Sequence, residues 1–233
     1  MFSVNLQRRI FAWVDRKHKK LQKIYYKDKF MSVVFSDIWR SNVWTGEESV
    51  SGPGSSMSQT KEIRGKLPLL LKELHVKSFL DIPCGDFNWM KSVDLSYVDK
   101  YIGADIIPEM VETNNKCFSN KQRTFCLLDI TKDSLPQVDL ILLRDCLVHF
   151  SYEDIAKAIK NIKQSKSTYI LTTIFSETVM NEDIITGYWR PLNLQKPPFN
   201  FTKPLQLLNE KCTEQKGKYK DKSLGLWKIK DIS

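Results

Sequence analysis

Four aspartates, Asp81, Asp105, Asp129 and Asp145, each stand at or just past the end of a short apolar run. A carboxylate at the end of a buried strand can accept hydrogen bonds from ribose hydroxyls or from an exocyclic amine. The first opens the turn Asp81-Ile82-Pro83-Cys84-Gly85-Asp86-Phe87, where a small residue lets the backbone approach a ligand, and Asp105 lies 24 residues beyond it. The pair reads as a nucleotide cradle, although the turn lacks the G-x-G-x-x-G of dinucleotide enzymes. His149 follows Asp145 by four residues. With an ordinary pKa of ~6.5 it can be neutral and accept a hydroxyl proton. Asp145 is either that base or the group that orients His149. Each acid taken singly could equally cap a helix. Four in register at successive strand ends are harder to obtain by accident.

These residues need a sheet to hold them. Apolar, β-rich runs at 78–82, 101–104, 124–128, 138–143 and 168–173 alternate with helical patterns at 89–93, 108–117 and 152–164. Such alternation predicts a mainly parallel sheet covered on both faces. The tail differs: runs at 205–209 and 224–229, joined by a Lys-rich turn at 216–222, read as a closing antiparallel hairpin. Upstream, Ile63, Leu67, Leu70, Leu71 and Leu74 form one face of a helix at 59–74. Ser58 or Thr60 is expected to cap it, and Pro68 to kink or split it. A Ser/Gly loop at 49–58 precedes that helix, and the segment 33–44 carries the bulky anchors Phe35, Ile38, Trp39 and Trp44.

At 233 residues and 42% hydrophobic, the chain can bury one good core. Of its net charge of +9, +7 falls in residues 1–30, leaving the body near neutral. Apolar residues recur at helical spacing across 6–25 with lysines and arginines between them, so residues 1–45 read as a basic helical arm and 46–233 as the main domain. The arm either packs with a solvated basic face or contacts an anionic membrane surface. A near-neutral body argues against nucleic acid as the partner. Five cysteines without a CxxC point to a reduced interior, and no apolar run reaches the length of a membrane span. The N-terminus is too polar for a signal peptide, and the expected location is cytoplasmic, with peripheral membrane contact through the arm.

Asp81-x-x-Cys84-Gly85 resembles the D-x-G-C-G-x-G turn of class I S-adenosylmethionine-dependent methyltransferases. That resemblance implies a Rossmann-like, seven-stranded, mainly parallel α/β sheet with a C-terminal antiparallel hairpin, and S-adenosylmethionine as cofactor. It places Asp81, Pro83, Gly85, Asp86 and Arg144 at the cofactor, Asp105 on the ribose, Ile106 on one adenine face, and Asp129 with Ile130 at the adenine edge. Pro83 and Phe87 stand where the family usually has glycines. A narrower resemblance rests on Trp44-x-Gly46-x-Glu48-Ser49-x-Ser51-Gly52-x-Gly54-Ser55, the Asp81 turn, Arg144-Asp145-Cys146-Leu147-Val148-His149, and Gly187-x-Trp189-Arg190-x-Leu192-Asn193-Leu194. Together these are similar to a bacterial subgroup of that family associated with surface-glycan modification. It spans about residues 30–205 and implies a small-molecule or glycan acceptor.

On that reading His149 and Asp145 are the catalytic candidates. Trp44, Ser51, Arg64, Tyr188, Trp189 and Arg190 are the acceptor candidates, with the Ser/Gly loop amides and Arg64 suited to an anion and the aromatic rings to a sugar. No His or Cys cluster has metal-ligand spacing. Lys196-Pro197-Pro198-Phe199 resembles an amino-directed DNA methyltransferase motif but starts with Lys and falls after the wrong strand. The rival expectations are methylation of RNA or protein with the basic arm holding phosphate, a nicotinamide-dependent oxidoreductase, and a scaffold that binds no cofactor.

Overall fold

Alternation along each central strand sends one set of side chains to each face of the sheet. Phe79, Tyr101, Leu140, Leu142 and Leu171 point to one face, and Leu80, Ile102, Ile141, Leu143 and Ile170 to the other; all are buried. Strands apolar on both sides need helices on both sides. A computed structural model, which describes Tyr26, residues 29–45 and residues 47–232, has that arrangement.

Seven strands form one sheet: β1 (Ser78–Asp81), β2 (Lys100–Asp105), β3 (Arg123–Leu127), β4 (Leu140–Leu143), β5 (Tyr169–Phe175), β6 (Gln206–Asn209) and β7 (Lys222–Lys228). Their order is β3-β2-β1-β4-β5-β7-β6. The first five run parallel, whereas β7 is antiparallel to both β5 and β6. The chain leaves β1 toward β2 and later returns to its other side as β4. A crevice therefore opens at the carboxyl ends of β1 and β4, where ligands of such sheets bind.

Helix α1 (Met31–Arg40) and α4 (Tyr152–Gln164) cover one face through Val34, Phe35 and Ile38 and through Ile155, Ala158, Ile159 and Ile162. Helix α2 (Lys61–Glu73) covers the other with Ile63, Leu67, Leu70 and Leu71. Each fully buried Leu or Ile contributes about 1.5–3 kcal/mol. Helix α3 (Pro108–Phe118) lies over β2 and β3.

Some local expectations give way to tertiary contacts. Helix α2 continues through Pro68 without splitting, held to the sheet by buried residues on both sides of the proline. Thr60 occupies its N-cap position but donates its hydroxyl to the Ser56 carbonyl instead of accepting from the helix. The expected helix near 89–93 is a single 3-10 turn, Met90–Ser92. The expected arm helix at 6–25 lies outside the described residues. No described helix is long and apolar enough to cross a membrane.

Candidate active site

The turn after β1 is built around Gly85, whose φ of +56° lies in the left-handed region. A Cβ there would meet the Ser51 Oγ at 2.3 Å, so only glycine fits. Its N–H donates to Asp105 Oδ2 at 3.0 Å, and Asn114 Nδ2 donates to its carbonyl at 2.7 Å. Phe87 also adopts a left-handed backbone, with φ of 58°, at a place where the family usually has glycine. Its ring turns into the core against Tyr101, Phe118 and Phe125, leaving the crevice open. Pro83 lines the crevice.

A cleft of about 980 Å³, including its open mouth, occupies this region. Asp81 and Asp105 border it, and both are buried. Burial pushes the Asp81 carboxyl up to about 7 despite a 2.6 Å hydrogen bond from the Tyr101 hydroxyl. Burial likewise raises Asp105 to about 6, opposed by the Ile107 and Gly85 amides. Each oxygen of Asp105 accepts one of those amides and keeps a lone pair for a ligand hydroxyl. Ile106, Met110, Leu128 and Ile130 supply an apolar wall. Paired buried acids beside a side-chain-free turn and an apolar slot suit a nucleoside such as that of S-adenosylmethionine.

Two cofactor candidates do other work. Asp129 does not reach the cleft: its Oδ1 accepts from the Thr131 amide and hydroxyl at 3.0 and 2.6 Å, and its Oδ2 pairs with Lys132 at 3.3 Å. The neighbouring Leu128 and Ile130 line the cleft in its place. Asp86 borders the cleft but spends its carboxylate on the Ser49 hydroxyl and the Val50 and Asn88 amides, tying the Ser/Gly loop to the β1 turn.

Beyond β4 the chain makes a sharp bend at Asp145, whose φ is 50° and whose N–H donates to Thr173 Oγ1. Arg144 is buried and forks onto Glu210, with Nε–Oε1 at 3.2 Å and Nη2–Oε2 at 2.7 Å. Lys222 Nζ lies 2.6 Å from Asp145 Oδ2 and 3.6 Å from Glu210 Oε2. Arg144 Nη1 reaches the same Asp145 oxygen at 3.3 Å. Burial favours a neutral Asp145, but Lys222 and Arg144 outweigh it and hold the carboxyl well below its usual range. Its Oδ1 has only a long 3.4 Å contact from Thr173 and remains able to accept.

His149 Nδ1 lies 2.9 Å from the Tyr188 carbonyl. A carbonyl only accepts, so Nδ1 carries the proton and Nε2 is left as the acceptor. Burial lowers the imidazole pKa to about 4, against the opposing pull of Asp145. Trp44 packs on the ring at a centroid distance of 5.1 Å.

A second cavity, about 940 Å³ including its open mouth, meets the first at Trp44, Ser51, Asp145 and His149. Trp189, Phe175 and Tyr219 wall it, with ring centroids 4.9–5.7 Å apart. Arg190 does not face it: its guanidinium donates to the carbonyls of Leu147, Phe150 and Glu182. Tyr188 contributes the carbonyl that fixes His149, and its side chain lines neither cavity. Arg64 braces the Met57 carbonyl and lies outside both cavities. In the Ser/Gly loop, the N–H groups of Val50, Ser51, Gly52, Ser55, Ser56 and Met57 all donate within the protein, which argues against an anion nest there.

Sequence reasoning missed Glu210 and Lys222. Alternation could have found them, because each continues an inward-facing series, Leu208 to Glu210 and Lys222 to Leu224 and Leu226. Their pairing across the connection between β6 and β7, with the Glu210 N–H donating to the Lys222 carbonyl, carries no sequence signal.

Residues 80–166 match the family model of a methyltransferase domain. No curated protein matches the chain. Among solved structures, human N-acetylserotonin methyltransferase in complex with SAM is 22% identical over 61% of this chain and 41% of its own, with a TM-score of 0.45. The N-methyltransferase NodS from Bradyrhizobium japonicum, solved with S-adenosyl-L-homocysteine, is 16% identical over 49% and 61%, with a TM-score of 0.43. The methyltransferase domain of bacterial CtHen1 is 12% identical over 50% and 66%, with a TM-score of 0.44. The chain thus spans about two thirds or less of the length of these structures. The strand order, with its antiparallel β7, is that of a Rossmann-like α/β sheet, and the segment 80–166 within it matches a methyltransferase domain.

Proposed function

We propose that the protein methylates a hydroxyl group of a sugar or glycan intermediate. The observation that carries this reading is the junction of the two cavities at Asp145 and His149: a nucleoside-sized cleft on one side, an aromatic-walled cavity on the other. S-adenosylmethionine, held in the first cleft by Asp81, Gly85 and Asp105, would supply an electrophilic methyl group on a sulfonium centre. The chain's own residues align the acceptor, exclude water and remove one proton. Asp145, kept ionised by Lys222 and Arg144, accepts a hydrogen bond from the acceptor hydroxyl and orients it. His149, neutral and with Nε2 unprotonated, would take the hydroxyl proton as the oxygen–methyl bond forms and the sulfur–methyl bond breaks, with S-adenosylhomocysteine as the leaving group. Aromatic faces in the second cavity suit the apolar face of a sugar ring, and its walled shape suits a small acceptor better than a polynucleotide.

The test is methyl transfer from labelled S-adenosylmethionine to a panel of sugars, with S-adenosylhomocysteine affinity measured in parallel. His149→Ala should lower kcat by about 100-fold or more while leaving that affinity unchanged. Asp105→Ala should instead abolish cofactor binding. With the wild-type protein, the acid limb of kcat should fall near pH 4, well below that of an ordinary histidine, because only neutral His149 accepts the proton. Full turnover by His149→Ala would return the residue to packing, and methylation of phenols but of no sugar would sink the glycan reading.

A further inference from the structure

Resting on the sugar reading, we infer that the second cavity is a subsite for a hydroxylated ring bearing no anionic group, and that Glu214 sets this selectivity. Its walls are aromatic. Trp189 and Tyr219 meet edge-on at 4.9 Å, Phe175 packs against both, and Trp44 lies across from them on His149. Rings so fixed present apolar surface to a sugar at little entropic cost.

The charges around the cavity are already matched, with one exception. Lys222 is held by Asp145 and Glu210, and Arg144 behind it by Glu210 and Asp145, so these four side chains sum to zero. Glu214 also lines the cavity and is half-buried. The donor to its carboxylate is the Cys212 thiol at 3.6 Å, and among the described residues no cation lies within ion-pair distance of it. The turn carrying it is set by Gln215 and Lys216, both in the left-handed region with φ of 49° and 60°. Lys216, Lys218 and Lys220 of the same connection are exposed and line no part of the cavity.

A phosphate or carboxylate entering this space would be desolvated beside a net negative lining, with each nearby cation committed and the Ser51, Gly52 and Ser55 amides already donating within the loop. A ring hydroxyl meets the opposite situation. Glu214 can accept from one or two such groups in charge-assisted bonds, roughly twice as strong as neutral ones. The cavity therefore selects uncharged sugars over uronates and sugar phosphates.

Saturation-transfer NMR and titration on the protein loaded with S-adenosylhomocysteine test this. Neutral probes are the methyl glycosides of glucose, galactose and mannose; anionic probes are methyl glucuronide and glucose 1-phosphate. At least one neutral glycoside should bind, with both anionic probes weaker by about tenfold or more. Glu214→Gln should weaken the neutral glycoside by roughly fivefold to tenfold and shrink the gap to the anionic probes. Trp189→Ala should remove glycoside binding, and neither variant should alter affinity for S-adenosylhomocysteine. Anionic probes binding as tightly as neutral ones, or an undiminished gap in Glu214→Gln, would overturn the charge selection and leave the sugar reading standing. Retained S-adenosylhomocysteine binding with no glycoside signal would overturn both.

Discussion

Asp81 shows how one residue can serve a site and tax the fold. Its carboxyl is buried against the Tyr101 hydroxyl and titrates near 7, whereas an ordinary aspartate titrates near 3.8. Because the folded pKa is raised, the native state holds a proton that the unfolded chain has lost between those values. The Asp81 contribution is therefore fully favourable below about pH 3.8 and is lost as the pH rises through about 7. The cost at high pH is at most about 4 kcal/mol. Asp81→Asn should raise the melting temperature relative to wild type more at pH 8 than at pH 5. An equal change at both pH values in thermal melts would show that the native Asp81 titrates normally. The residue types of the cradle were legible in the sequence, since Asp81, Gly85 and Asp105 can be read off the ends of apolar runs. Which of the four acids faces the cleft was not. Asp129 has the same strand-end position but turns into its own loop, a choice made by the Thr131 hydroxyl and Lys132.

At the scale of elements, the turn after β1 and the Ser/Gly loop form one unit. Gly85 leaves 2.3 Å between a would-be Cβ and Ser51 Oγ, and Asp86 gathers the Ser49 hydroxyl and the Val50 amide. Gly85→Ala should destabilise the protein by roughly 1–3 kcal/mol and weaken cofactor binding, through both the clash and the left-handed φ. Adding Ser51→Gly should recover the clash and not the backbone strain, giving partial rescue in urea titrations. No rescue at all would mean that the loop and the turn are not in contact in solution. Strands and helices were legible here because apolar periodicity is a local property. The continuity of α2 through Pro68 was not, because buried residues on both flanks override the proline's local effect.

For the whole molecule, the β6–β7 pair does more than close the sheet. It delivers Glu210 and Lys222 to the end of β4, where they complete the network around Arg144 and Asp145. Removing one member of a buried ion network leaves an uncompensated charge. Glu210→Gln should therefore cost about 3–5 kcal/mol in urea unfolding, several times the effect of breaking an exposed pair such as Lys116–Glu112. A loss below 1 kcal/mol would mean that water already solvates the cluster. The sequence by itself determined the alternation of strands and helices and the closing hairpin, because each is encoded in neighbours a few residues apart. Only the tertiary structure decided how the acceptor side is built. Phe175, Glu214, Tyr219 and Lys222 come from β5, β7 and the connection that precedes β7, and they meet Trp44 and His149 only after the sheet has formed. Charge pairing and cavity shape depend on that three-dimensional meeting, and no spacing along the chain records it.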